Sequence, residues 1–198
     1  MIDWIKNRTK EYPEFWKNYL KKFDQKSKKF VVFNLDTTGL VSNKDVILSV
    51  GAITVENNQI VIGSTFEAAI PQYHFFHKND MLEPPSFPDL PKMVEPIALE
   101  SFINFIENAT LVGHRINFDI DMINVALEKM GCGNLKNEAL DLEIMHKKFL
   151  DIDDKNFTIE ELAAHYKIPT ANRQSSSNDA YVLSILFLKL KQKLGFKY

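Results

Sequence analysis

One stretch, KFVVFNLDTTGL, limits the fold of this 198-residue chain more than any other. From Phe30 to Leu35 it is apolar save for Asn34, and it has the length of a single strand. Such an unbroken run marks a central strand buried on both faces, unlike the in–out alternation of a strand with one wet face. The strand ends in an amide, Asn34, and an acid, Asp36, before the turn residues Thr37, Thr38, Gly39 and Leu40. Strand ends carrying paired acids suit hard cations. This one offers a single acid beside an amide.

The rest of the chain supplies the neighbours such a strand needs. DVILSVGAITVE and QIVIGSTFEAAI read as two more strands, joined at Asn57-Asn58, whose side chains tolerate left-handed turns, so the first three strands form an antiparallel meander. A proline-rich irregular segment fills residues 71–96, the kind of long surface connection that often carries function. Beyond it, helices and strands alternate: a helix over 97–107, a strand in ATLVGH, and a helix within FDIDMINVALEKMG closed by Gly131. NEALD is a further strand and LEIMHKKFL a helix; Thr158 with Glu161 forms a capping-box signature. The last helix, 178–194, is apolar nearly all round and should be well buried. This order gives an α/β layered domain with a mixed sheet.

Ahead of the first strand, residues 1–27 read as helical, with Pro13 starting a second helix. Phe15, Trp16, Tyr19, Leu20 and Phe23 fall at helical spacing and should dock on the main domain, with Trp4 in the same patch. Residues 1–29 hold nine basic and four acidic side chains, leaving 15 basic and 22 acidic in the remainder. A basic arm thus precedes an acidic body, while the formal net charge of −2 gives no reason to expect indiscriminate nucleic-acid binding. A single cysteine, Cys132, excludes an internal disulfide framework. No apolar run is long enough for a bilayer and the N-terminus lacks a signal-peptide core, so the expected location is the cytoplasm, away from membranes.

In a layered α/β domain, strand ends and the helix starts that follow them gather at one edge of the sheet. Three acids qualify for that edge: Asp36, Asp119 at the start of the helix after LVGH, and Asp179 at the start of the last helix. Each alone is as readily a helix cap or dipole partner. Together, FNLDTTGL, LVGHRINFDIDMIN and RQSSSNDAYVLSILF resemble, in order and spacing, the three motifs of the DnaQ-like, DEDDh-type 3′–5′ exonucleases. That family has a ribonuclease H-like fold and includes the proofreading epsilon subunits of bacterial DNA polymerase III. The resemblance covers about residues 30–193. It implies a five-stranded mixed sheet, a meander followed by parallel strands, flanked by helices. The exonuclease-like domain would span residues 29–198, behind a basic helical arm at residues 1–28.

The chemistry implied by the resemblance is phosphodiester hydrolysis at nucleic-acid 3′ ends, with two Mg²⁺ or Mn²⁺ ions roughly 4 Å apart. It assigns Asp36, Asp119 and Asp179 as metal ligands, with Asn34 as a weak neutral one, and Thr37, Thr38, Gly39 and Leu40 to the terminal nucleotide. The general-base position falls on Gln174, which takes up no proton near neutral pH. The tyrosine of a sister subgroup falls on Ser175. Against the family pattern, Asn34 stands for Asp, Asp36 for Glu and Gln174 for His. Hydrolysis is therefore expected to be impaired or lost and the metal site weakened. The alternative is a non-catalytic interaction module of a replication or repair assembly, with a polymerase or repair protein as partner. His114 is expected to be a strand-end structural residue, His74 and His77 surface residues, and Asp121 and Asp141 caps. HKNDML matches the family's nucleotide-contacting His-Gly-Ile element only loosely. Gly39 is expected to serve the turn through its conformational freedom.

Overall fold

The apolar run becomes the centre of the sheet. In the computed structural model, which describes residues 11–72, 90–170 and 175–195, β1 (Phe30–Thr37) has a neighbour on each side. β2 (Ile47–Glu56) pairs with β1 antiparallel, and β3 (Gln59–Ala69) pairs antiparallel with β2. Asn57 and Asn58 take φ of 51° and 60°, the two left-handed residues that a tight hairpin turn needs. On the other side β4 (Thr110–Gly113) runs parallel to β1, and β5 (Ala139–Asp141) parallel to β4. The order β3-β2-β1-β4-β5 is a five-stranded mixed sheet, as expected from the sequence.

Alternate residues of β1 feed two separate cores. Val31, Phe33 and Leu35 face one side, where they join Trp16 and Tyr19 of α1 (Glu14–Lys21), Phe102 of α2 (Glu95–Ile106) and Ile123 of α3 (Ile116–Lys129). Phe30 and Val32 face the other, against Met145 of α4 (Leu142–Leu150), Leu162 of α5 (Ile159–His165) and Leu183 and Phe187 of α6 (Ser176–Lys193). Burial on both faces accounts for the absence of polar alternation in KFVVF.

The aromatic stripe of α1 docks as its spacing predicts. Trp16 and Tyr19 are buried, and Phe15, Leu20 and Phe23 pack beside them half-covered. The Tyr19 hydroxyl donates to Asn137 Oδ1 and accepts from Lys136 N–H, both at 2.7 Å, fastening α1 to the connection before β5. Burial pushes this phenol up to about 12, so it stays neutral. Trp4, His74 and His77 lie outside the described residues.

Helix ends follow the expected chemistry, with boundaries shifted by a residue or two. α3 ends ahead of Gly131, whose φ of 77° suits a glycine C-terminus. α5 opens with the full capping box: Glu161 N–H donates to Thr158 Oγ1 at 3.2 Å, and Thr158 N–H to Glu161 Oε2 at 2.9 Å. α6 starts at Ser176, capped by Ser175, and buries nine residues along its length, including Leu183, Leu186, Phe187 and Leu190. No described helix is long and apolar enough to cross a membrane.

Candidate active site

The C-terminal ends of β1, β4 and β5 point to one edge, where α3 and α4 begin. The first turn of α6 is drawn to the same edge by β2. Asn34 and Asp36 lie opposite Gly51 and Ser49 in the β1–β2 register, with their side chains on the face that α6 covers. The Ser49 hydroxyl hydrogen-bonds the Asp36 carboxylate and sits 2.8 Å from Ser176 Oγ, which is fully buried. With one hydrogen to give, Ser49 donates to the carboxylate, and Ser176 then donates to Ser49. The next hydroxyl, Ser177, donates to Glu67 on β3. Asp179 follows in the same helical turn, half-buried. Among the described residues the Asn34 side chain makes only a long 3.4 Å contact, from Nδ2 to Leu35 O. Gln174 lies outside the described residues.

Gly51 makes this approach feasible. A Cβ there would fall well inside contact distance of Ser177 N and Ser176 C, which are backbone atoms with no rotamer to change. The absence of one side chain on β2 therefore seats the helix that carries Asp179.

Asp119 occupies the first turn of α3 and is only 6% exposed. Burial, and after it the charges of Asp36 and Asp141, hold its carboxyl well above the usual carboxylate range. Asp141 is the N-cap of α4, accepting from Glu143 N–H at 2.8 Å and Ile144 N–H at 3.3 Å, and it also receives Ile116 N–H at 3.1 Å. Asp141 is thus the expected cap, whereas Asp121 is an exposed residue in the second turn of α3 and caps nothing.

The folded state holds the Asp119 proton more tightly than the unfolded chain, so stability falls as pH rises from the ordinary carboxylate range through the raised value. Asp119→Asn removes that ionisation. The variant is expected to melt higher than the parent at pH 7–8 without divalent cations, and the gain should vanish near pH 4. Thermal melts across that range check it; a gain independent of pH would show that charge is not the cause.

A buried carboxylate among other acids is a hard-oxygen donor set of the kind that suits Mg²⁺ or Mn²⁺. Yet among the described residues no three His, Cys, Asp or Glu side chains converge closely enough to hold an ion. The donors match a divalent cation in type but are not prebuilt for the two-ion arrangement.

The turn after β1 is closed by a residue the motif reading passed over. Asp45 accepts from Thr38 Oγ1 at 2.9 Å and from Val41 N–H at 2.8 Å, and Thr37 Oγ1 donates to Gly39 O at 2.8 Å. Gly39 does not take positive φ, so the turn needs this glycine for something other than left-handed freedom. It supplies space: a Cβ would lie 2.7 Å from the Asp45 carboxylate oxygens. The closed turn leaves Leu40 projecting, 83% exposed.

A second polar cluster braces the β4–α3 corner. Glu143, 5% exposed, receives Arg115 Nε at 2.9 Å and Phe157 N–H at 2.8 Å, with Lys147 Nζ at 3.4 Å and His114 Nε2 at 3.8 Å. Burial pushes its carboxyl up, but the Arg115 hydrogen bond, the Phe157 N–H and the charges of Arg115 and Lys147 outweigh it and leave it below its ordinary value. His114 also reaches Phe157 O at 2.7 Å, the structural role expected of it. Ser49, Gly51, Asp45 and Glu143 were not singled out from sequence. Of these only Gly51 left a signal, a glycine inside a strand.

Residues 31–187 match the family model described as exonuclease, RNase_T. The PolC-type DNA polymerase III of Caldanaerobacter subterraneus is 32% identical over 170 residues, covering 83% of this chain and 12% of the polymerase. The 3′-5′ exonuclease DinG of Staphylococcus epidermidis is 26% identical over 174 residues, covering 83% of this chain and 18% of that protein. The chain thus spans only a small part of the curated relatives it matches. Among solved structures, E. coli exonuclease I in complex with a dT13 oligonucleotide superposes with a TM-score of 0.64 at 13% identity, over 85% of this chain and 42% of that one. The mixed sheet with its flanking helices is the ribonuclease H-like fold of such exonucleases.

Proposed function

The chain belongs to the RNase_T exonuclease family, and on that premise we propose that it engages the 3′ ends of nucleic-acid strands with phosphodiester hydrolysis impaired or lost. The observation that carries this reading is the meeting, at one sheet edge, of the β1 end with the first turns of α3 and α6. The three motif segments are joined there, but the residues they bring are Asn34, Asp36, Asp119 and Asp179. Asp36, Asp119 and Asp179 would hold a divalent cation, Mg²⁺ or Mn²⁺, more weakly than four carboxylates hold two. Once bound it would supply Lewis-acid activation of the phosphate. Asn34 adds an oxygen but no charge, and Gln174 offers no base. The turn Thr37–Thr38–Gly39–Leu40 would receive the terminal nucleotide, with the projecting Leu40 against its base. The basic arm of residues 1–28 would meet a polymerase or repair protein in the cytoplasm, with Trp16 and Tyr19 of its α1 docked on the exonuclease-like domain.

A 5′-labelled DNA or RNA single strand incubated with the chain and Mn²⁺ tests this. It is expected to bind, as read by fluorescence anisotropy, and to shorten slowly or not at all on a denaturing gel. Rapid shortening from the 3′ end would remove the claim of impairment. No binding would favour the non-catalytic protein-interaction module instead.

A further inference from the structure

Resting on that reading, we propose that Arg115 is a preset phosphate clamp for the strand backbone, with Glu143 as the residue that positions it. Arg115 stands at the N-cap of α3 with φ of 53°, a left-handed conformation that residues of its type seldom adopt. Its backbone therefore directs the side chain in a way an ordinary helix start would not. Among the described residues the guanidinium is tied at one nitrogen: Nε donates to Glu143 Oε2 at 2.9 Å. Glu143 is itself fixed, because its other oxygen receives Phe157 N–H at 2.8 Å and Lys147 lies 3.4 Å away.

Geometry then separates the two ends of the pair. The Glu143 side chain is 7% exposed and that of Arg115 53% exposed. The anchor is buried and the fork stands in solvent. The Nε bond leaves the terminal nitrogens, the planar pair whose spacing matches two phosphate oxygens, without a hydrogen-bond partner among the described residues. They stand at the β4–α3 corner, four residues before Asp119. The sheet edge it borders bears the acids Asp36, Asp119 and Asp141, and ionised carboxylates there repel phosphate. A fixed cation on the helix start that carries Asp119 would offset part of that repulsion where a strand passes. An arginine whose role was only to neutralise Glu143 would not be needed, since Lys147 is already within salt-bridge distance of the same carboxylate.

The partner chemistry is a phosphodiester of single-stranded nucleic acid, contacted without reading its base. The test is anisotropy of a labelled single strand with EDTA present, titrated across salt for the parent, Arg115→Asn and Arg115→Lys. Asparagine tolerates the left-handed backbone, so the first change removes charge without straining the turn. Arg115→Asn is expected to weaken binding about tenfold for every sequence tried and to lower the slope of log affinity against log salt by about 0.7. Arg115→Lys should keep the parent slope while recovering only part of the affinity, because a lysine cannot both hold Glu143 and present a fork. A parent that binds no strand would sink the functional reading and this inference together. A parent that binds, with Arg115→Asn keeping its slope, would overturn the clamp alone, whatever the change in melting temperature.

Discussion

Asn34→Asp, Asp36→Glu and Gln174→His, introduced together, are expected to raise 3′ shortening of a labelled single strand in Mn²⁺ by at least about 10²-fold over the parent. Each change restores a different contribution. Gln174→His returns a proton acceptor, and general-base catalysis alone is typically worth about 10²–10⁴ in rate. Asp36→Glu extends a carboxylate by one methylene, about 1.5 Å, beyond the position where Ser49 now holds it. Asn34→Asp adds a negative charge on the same face of β1 as Asp36; burial and, after it, the Asp36 charge already make Asp119 resist ionising. That added charge is favourable only with a cation present. The triple variant should therefore melt lower than the parent in EDTA and gain more from added Mn²⁺. Single substitutions should recover far less than the set, because a base without a bound cation, or the reverse, completes nothing. If the triple variant shortens no strand although it folds and binds Mn²⁺, the assignment of these three positions is wrong.

The parts of the fold that were legible from sequence are those where one residue type has one physical use. The unbroken run Phe30–Leu35 could only be a strand covered on both sides, and the two cores built on its alternate residues confirm it. Asn57-Asn58 and the Thr158–Glu161 pair were read correctly because positive φ and reciprocal capping leave few alternatives. Asp141 and Asp121 show where that logic ends. Both are acids near element ends, and only register, which periodicity leaves uncertain by a residue or two, decides that one caps α4 and the other faces solvent. The site divides in the same way. Its motif residues were visible, whereas the residues that hold them in place were not. Ser49 meets Ser176 across 127 positions of sequence, and Glu143 acts on Arg115 and Phe157, 28 and 14 positions away. Contacts of that kind have no local pattern. They follow from the β1–β2 register and the seating of α6, both of which are tertiary facts.

That seating supplies the second large effect. Gly51→Ala is expected to cost about 3 kcal/mol or more of folding stability, at or beyond the usual limit for overpacking. An added Cβ at Gly51 meets the backbone of Ser176 and Ser177 rather than a side-chain end, so α6 itself must move. Moving it loosens Leu183, Leu186, Phe187 and Leu190 in the second core and opens the Ser49–Ser176 contact. In a chain of this size the loss corresponds to roughly 6–12 °C in melting temperature. Gly63→Ala is the internal control. It lies in β3, where an added Cβ meets nothing within 4 Å, and removing a strand glycine there should be neutral or stabilising by about 0.5–1 kcal/mol. Chemical denaturation of the two variants reads the difference directly. The functional consequence follows from position: Asp179 rides on the turn that Gly51 admits, so Gly51→Ala placed in the triple variant should abolish the regained shortening even below its melting temperature. If it melts low yet still shortens the strand at the triple variant's rate, the seat of α6 governs stability without governing the site.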